Sequence, residues 1–152
     1  MPEVCRFKET ILQSAIRRYL MHFENLRRFL VNLDLPIDQV DSLEILGEKA
    51  LPQGHIDLLL KQRVPLGSSF KIPIEVKVNR GSQGDISQLR AYMDELRGDC
   101  QVGVLIAADF GKNCGQKATA NGIQLVRYKL NADLKHPVTF DEISYGLDLA
   151  VA

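Results

Sequence analysis

The sequence has no surplus of charge of either sign: across 152 residues, 19 Lys and Arg balance 19 Asp and Glu. That argues against a disordered polyelectrolyte, a histone-like coat or a strongly basic nucleic-acid binder, so any anionic partner must be met by a local patch. Cysteine is sparse. Cys5, Cys100 and Cys114 stand far apart, odd in number and without a CxxC pair, which disfavours a disulfide framework or a zinc cage and implies reduced thiols. Long apolar runs are also missing. The longest uncharged one, Val102 to Ala108, is strand-length and far below the roughly 20 residues that span a bilayer. The opening Met-Pro-Glu-Val-Cys-Arg-Phe-Lys-Glu carries charge where a signal peptide needs its apolar core. The expectation is a cytoplasmic protein with no membrane partner. No Gly-rich phosphate loop of the Walker type is present, nor a Ser, His and Asp set spaced for nucleophilic catalysis, so ATP is not expected.

The length suits one domain, residues 1–152, and 45% apolar residues supply a core. Ile11, Leu12, Ala15, Ile16, Tyr19, Phe23, Leu26, Phe29, Leu30 and Leu33 recur at helical spacing, as one long helix or two stacked ones closed by Pro36. Strand character follows at Ser42 to Glu48, Gly54 to Leu60 and Phe70 to Val78. The first two are joined by Ala50 to Gly54, and the second and third by a loop holding Pro65, Gly67, Ser68 and Ser69, which predicts an antiparallel meander. Asp85 is the expected N-cap of a helix to about Arg97, stopped by Gly98, with Ile86, Leu89, Met93 and Leu96 as its buried stripe. Gln101 to Ala108 reads as an interior strand covered on both faces. A short helix over about Asn113 to Asn121, a strand over Ile123 to Tyr128 and a small helix capped at Thr139-Phe-Asp-Glu142 complete the chain. The order is αβββαβαβ with a helical tail.

Chemistry concentrates on two of the strands. In Lys71 to Val78, Ile72, Ile74, Val76 and Val78 alternate with Pro73, Glu75, Lys77 and Asn79, so Glu75 and Lys77 project together from the face opposite the aliphatics. Gly54 to Leu60 alternates likewise, with Ile56, Leu58 and Leu60 on one face and His55 and Asp57 on the other. Strands lie roughly 4.8 Å apart, so in suitable register Asp57 and Glu75 can share one small cation, and their hard oxygens suit Mg²⁺. The Lys77 ammonium would stand beside it, a combination suited to phosphodiester hydrolysis.

Asp57 in Gly-His-Ile-Asp-Leu-Leu, then Ile-Glu75-Val-Lys77, then Gln88-Leu-Arg-Ala-Tyr92 resembles the PD-(D/E)XK nuclease superfamily. The Gln-Leu-x-x-Tyr helix narrows the resemblance to the RecB-like branch and the nuclease domain of the NucS endonucleases. It covers about Phe23 to Tyr128, leaving a helical extension over about 5–22 and a tail over about 129–152. It implies an α/β, restriction-endonuclease-like αβββαβ core, a mixed sheet flanked by helices, and endonuclease action on DNA with Mg²⁺, or Mn²⁺ in its place. The resemblance gives Asp57, Glu75 and the backbone carbonyl of Val76 as metal ligands, with Glu24 contributing from Glu24-Asn-Leu-Arg-Arg-Phe-Leu30, and Lys77 as the group that positions the attacking water. Glu48 stands ahead of the Asp57 strand, as a glutamate often does in such domains. Gln88 would support the site and Tyr92 would pack or touch DNA. His55 stands where NucS-like domains usually carry arginine or lysine, and NucS enzymes have an added DNA-binding domain that is not visible here.

Plainer roles compete for several of these residues. Glu75 and Lys77 can be an exposed cross-face pair of little energetic weight. Gln88 lies three residues after Asp85, the reciprocal position of a capping box. Glu24 can pair with Arg28 one turn on, Tyr92 can be a packed aromatic, and His55, a candidate phosphate contact on the face of Asp57, is a lone histidine, which is usually not a ligand. Arg80 is a candidate phosphate contact with Arg17, Arg18, Arg27, Arg28, Arg90, Lys112 and Lys117. Beside the nuclease reading stand a catalytically silent nucleic-acid-binding or assembly module of the same fold and a junction resolvase or restriction-type enzyme. A homodimer, a further DNA-binding domain or a partner protein would accompany the DNA partner.

Overall fold

The computed structural model describes residues 8–35, 43–47, 49–51, 54–62, 71–96, 100, 102–130, 140, 143 and 146–152. In chain order the elements are α1 (Glu9–Met21), α2 (Phe23–Asn32), β1 (Leu43–Leu46), β2 (Lys49–Leu51), β3 (Gly54–Ile56), β4 (Leu58–Gln62), β5 (Lys71–Val76), β6 (Arg80–Gly81), α3 (Gln83–Leu96), β7 (Gly103–Ala107), β8 (Asp109–Phe110), α4 (Cys114–Ala120), β9 (Ile123–Leu130) and β10 (Leu147–Val151). Six strands form the central sheet in the order β1-β4-β5-β7-β9-β10. The expected meander is β1-β4-β5, antiparallel throughout, while β5-β7 and β7-β9 run parallel. This mixed sheet with helices on both faces is a restriction-endonuclease-like core. Expected features at Cys5, Pro36, Glu48, Pro65, Gly67 to Ser69, Arg97, Gly98, Thr139 and Glu142 lie outside the described residues.

The N-terminal apolar pattern resolves into two helices, and its phase explains why. Leu12, Ala15, Ile16 and Leu20 are buried in α1, and Leu26, Phe29 and Leu30 in α2. Continuing the helical period beyond Leu20 would bring positions 23, 24 and 27 inward, which are Phe23, Glu24 and Arg27. The chain instead turns extended at His22 (φ −82°, ψ 125°) and restarts. Helix α1, expected within an extension over about 5–22 ahead of the core, is part of the core: its Leu12, Ala15, Ile16 and Leu20 are fully buried with Leu58, Leu60, Ile72, Ile74, Val104 and Ile106.

The opposite face of the sheet carries a second core, where Leu105, Ile123 and Leu125 meet Ile86, Leu89, Tyr92 and Met93 of α3 and Cys114 and Ala118 of α4. Helix α3 lies close because residue 103 has no side chain; a Cβ on Gly103 would stand 2.8 Å from Met93 Sδ. β7 is buried along its whole length, as its apolar run predicts.

Three expectations are corrected. The stretch Gly54 to Leu60 is not one strand: it bends at Asp57, so Ile56 packs with the α3 core and Leu58 with the α1 core. The cap of α3 is Ser82, whose Oγ accepts from the Asp85 N–H at 3.2 Å while the Asp85 carboxylate accepts from the Ser82 N–H at 2.8 Å; Asp85 is the reciprocal member of that capping box. The tail adds a strand, β10, antiparallel to β9, with Leu147 and Leu149 facing inward. Among the described residues no helix is long and apolar enough to cross a membrane.

Candidate active site

The register of β4 and β5 brings the two acids together. Leu58 pairs with Ile74 and Leu59 with Pro73; in antiparallel strands the next step in the same ladder sets Asp57 opposite Glu75. The bend at Asp57 then turns its carboxylate over the end of β5. Asp57 Oδ2 accepts from the Val76 N–H at 2.9 Å, and the Asp57 N–H donates to Glu75 Oε1 at 3.4 Å. Each acid is thus fixed by the other's strand, which is more than an exposed cross-face pair would need.

Both carboxyls are strained electrostatically. Glu75 is 8% exposed and is the one charged side chain in the buried class among the described residues. Burial, then the charge of Asp57, push its pKa up to about 8, against which the Asp57 N–H and Lys77 work. Burial also raises Asp57, opposed by the hydrogen bond from Val76. Two acids in low dielectric cannot both ionise cheaply without a cation, so without one Glu75 keeps the proton that it shares with Asp57.

Lys77 follows on the same face of the chain and is held 3.6 Å from Asp85 Oδ1. Burial alone would lower its pKa, but Asp85, Glu9, Glu75 and Asp57 together raise it, so the ammonium stays charged. The N-terminus of α3 is therefore at the site, through Asp85. That of α1 is too, because the field of Glu9, its first residue, reaches both Asp57 and Lys77. Glu9 is a charge that sequence reading did not connect with these residues; its one signal is its place at the head of an amphipathic helix. Glu24, expected in this role, opens α2 and is exposed. It lies past the far end of α1, whose 13 residues span about 18 Å at the helical rise of 1.5 Å per residue.

The other expected residues divide. Tyr92 is buried, and its hydroxyl oxygen accepts from the Gln88 side chain and the His55 N–H. Burial and then Glu75 raise its pKa. Tyr92 is thus both a packed aromatic and a neighbour of the acids, tying α3 to the residues just before Asp57. Gln88 is free of the capping box and serves Tyr92 instead. The His55 side chain is exposed beside Asp57. Arg80 stands three residues beyond Lys77 on β6 and pairs with Asp109 at 3.6 Å. The loop between them is tethered by the Tyr128 hydroxyl, which donates to the Val78 carbonyl.

Among the described residues no group of three His, Cys, Asp and Glu side chains is assembled as a metal cage. The donor set nevertheless fits a hard divalent cation. Two carboxylates meet in a site whose burial disfavours their charge, and the Val76 carbonyl belongs to the residue whose N–H already holds Asp57.

Comparison with protein-family models and with curated proteins finds no match. Solved structures do match. A repair endonuclease from Pyrococcus abyssi superposes with a TM-score of 0.53 at 16% identity, over 81% of this chain and 47% of that one. The structure of an EndoMS complex with double-stranded DNA gives a TM-score of 0.52 at 18% identity, over 82% of this chain and 47% of that one. The chain spans about half the length of these structures, and what it shares with them is the fold.

Proposed function

We propose that this chain is the nuclease unit of a Mg²⁺-dependent DNA endonuclease of the PD-(D/E)XK type, with Mn²⁺ able to substitute. The observation that carries the reading is the convergence of Asp57, Glu75 and Lys77 at the end of β5. The likeness in fold to a repair endonuclease and to an EndoMS–DNA complex supports it.

Asp57, Glu75 and the Val76 carbonyl would hold the cation. When bound, it supplies a Lewis acid for the scissile phosphate and lowers the pKa of a water. Lys77, kept charged by the surrounding carboxylates, orients the attacking water and stabilises the charge that develops on the phosphate. Asp85 fixes where that ammonium points. Tyr92 and Gln88 hold the His55 to Asp57 backbone against α3, so the Asp57 carboxylate keeps its aim. His55, exposed beside Asp57, and Arg80, exposed on β6, would meet flanking phosphates.

The test is incubation with Mg²⁺ or Mn²⁺ and a panel of single-stranded, duplex, flap, mismatched and four-way DNA, beside Asp57→Ala. Metal-dependent cleavage that falls to background in the variant is the expected result. Equal cutting by wild type and variant overturns the site. Binding without any cleavage makes the chain a silent nucleic-acid-binding module.

A further inference from the structure

A second cluster of charge lies in line with the first. Glu75, Leu105 and Leu125 occupy one row across β5, β7 and β9, and Ala107 pairs with Arg127 two residues on. The Lys77 N–H bonds to the Ile106 carbonyl at 2.8 Å, which extends the β5–β7 ladder by one residue. Lys77, Ala107 and Arg127 therefore form the next row but one, and Lys77 and Arg127 are two strand spacings apart, about 10 Å. Both face the α3 side, the face of Leu105 and Leu125.

Arg127 is not a loose surface cation. Its guanidinium nitrogen stands 3.6 Å from Asp109 Oδ1, while Arg80 holds Asp109 Oδ2 at 3.6 Å. The Phe110 N–H donates to the same carboxylate. Arg127 also lies over the Phe110 ring, 6.0 Å from its centroid. That ring rests on Gly81, where an added Cβ would come within 2.9 Å of Phe110 Cδ1. The short parallel pair β6–β8, in which Arg80 is opposite Asp109, thus presents two arginines spread by one carboxylate. Much of the Arg80 and Arg127 side chains remains in solvent, at 67% and 49% exposure.

We propose that Arg80 and Arg127, spread by Asp109 and backed by Phe110, form a phosphate clamp for the nucleic-acid strand running from Lys77 along the carboxyl ends of β5, β7 and β9. The inference rests on the nuclease reading and adds to it the track of the substrate backbone. The spacing is apt: successive phosphates of a duplex strand rise about 3.4 Å along the axis and, with the winding added, stand about 7 Å apart, so about 10 Å places the clamp one to two phosphates from the Lys77 site. Arginine suits the task, because a guanidinium paired on one edge still offers donors on another. Contacts of this kind read phosphate and not base, so duplex DNA and duplex RNA should lose affinity alike on their removal.

The experiment is anisotropy titration of both duplexes in EDTA, between 50 and 200 mM salt, with wild type, Arg80→Gln/Arg127→Gln and Arg80→Lys/Arg127→Lys. The glutamine pair should bind about tenfold or more weakly, with a salt slope shallower by about 2, close to one unit per lost phosphate contact. The lysine pair should recover most of the slope. An unchanged slope in the glutamine pair, or an affinity loss that follows a drop in melting temperature and is shared by the lysine pair, overturns the clamp. If wild type cuts DNA while the slope is unchanged, only the clamp fails. If wild type neither binds nor cuts, the nuclease reading falls with it.

Discussion

Asp57 and Glu75 meet where Glu75 is 8% exposed, whereas Arg80, Asp109 and Arg127, a row or two further along the sheet end, leave 67%, 49% and 49% of their side chains in solvent. The first grouping joins like charges in low dielectric, and burial drives the Glu75 carboxyl up to about 8. The second joins opposite charges in water, where each contact is screened and contributes little to stability. The same end of the fold therefore holds a metal-free acid pair that opposes folding and a charge cluster that is nearly neutral to folding. On the proposed function, stability is conceded where charge is concentrated on a reacting phosphate, and not where a backbone is only gripped.

The sharpest way to break the contrast is Glu75→Gln. The ordinary carboxyl value is 4.5, so between there and about 8 the unfolded chain gives up a proton that the folded, metal-free protein retains. Stability from this group is fully present below pH 4.5 and falls as pH rises toward 8. At 1.36 kcal/mol per pH unit the loss is at most about 5 kcal/mol. In EDTA, chemical denaturation of wild type should show that decline, and Glu75→Gln should flatten it and be the more stable protein at pH 8. Saturating Mn²⁺ should flatten it in wild type by binding the folded state, while cleavage by the variant drops to background. A wild-type profile flat from pH 5 to 8 in EDTA would mean the acids are relieved by something other than a cation.

Lys77 stands between the two groupings, and Lys77→Met measures to which it belongs. On the proposed role of orienting water, its loss should slow single-turnover cleavage by about 100-fold or more, on the scale of removing one transition-state donor. Calorimetric affinity for Mn²⁺ should change far less. Equal losses in both would assign the lysine to holding Asp85 and the start of α3.

How much of this is legible in the sequence depends on how local each cause is. The pairing of Asp57 with Glu75 is readable from two alternating segments, because antiparallel register carries one contact to the next. The bend at Asp57 is not: alternation put Ile56 and Leu58 on one face, and the structure separates them into different cores. It takes a hydrogen bond from Val76, 19 residues away, to hold that bend. Likeness points to Glu24 as the acid from the N-terminal helices, whereas the packing of α1 against β5 and β1, which no local pattern shows, lets the charge of Glu9 act on Lys77. The strand Leu147-Asp-Leu-Ala-Val151 alternates, but its five residues give a weaker signal than the capping box just ahead of them. Arg127 carries no local signal, because only a three-strand row aligns it with Lys77.

The smallest expected effect tests the exposed side of the comparison. Asp109 holds two arginines and accepts from the Phe110 N–H, and its carboxyl is accordingly held below the usual range, by that N–H first and then by Arg80 and Arg127. In solvent such pairs are screened and their loss is readily replaced by water. Asp109→Asn keeps the shape and an acceptor oxygen, so its melting temperature should stay within about 2 °C of wild type, with no pH dependence of the kind Glu75 imposes. Thermal scans of Asp109→Asn and Glu75→Gln at pH 5 and 8 in EDTA make the comparison directly. A larger drop for Asp109→Asn than that would mean the bridge fastens β6 to β8 and thereby the loop after Lys77. The arginines would then be structural before they are available to phosphate, and the two groupings would differ in exposure alone.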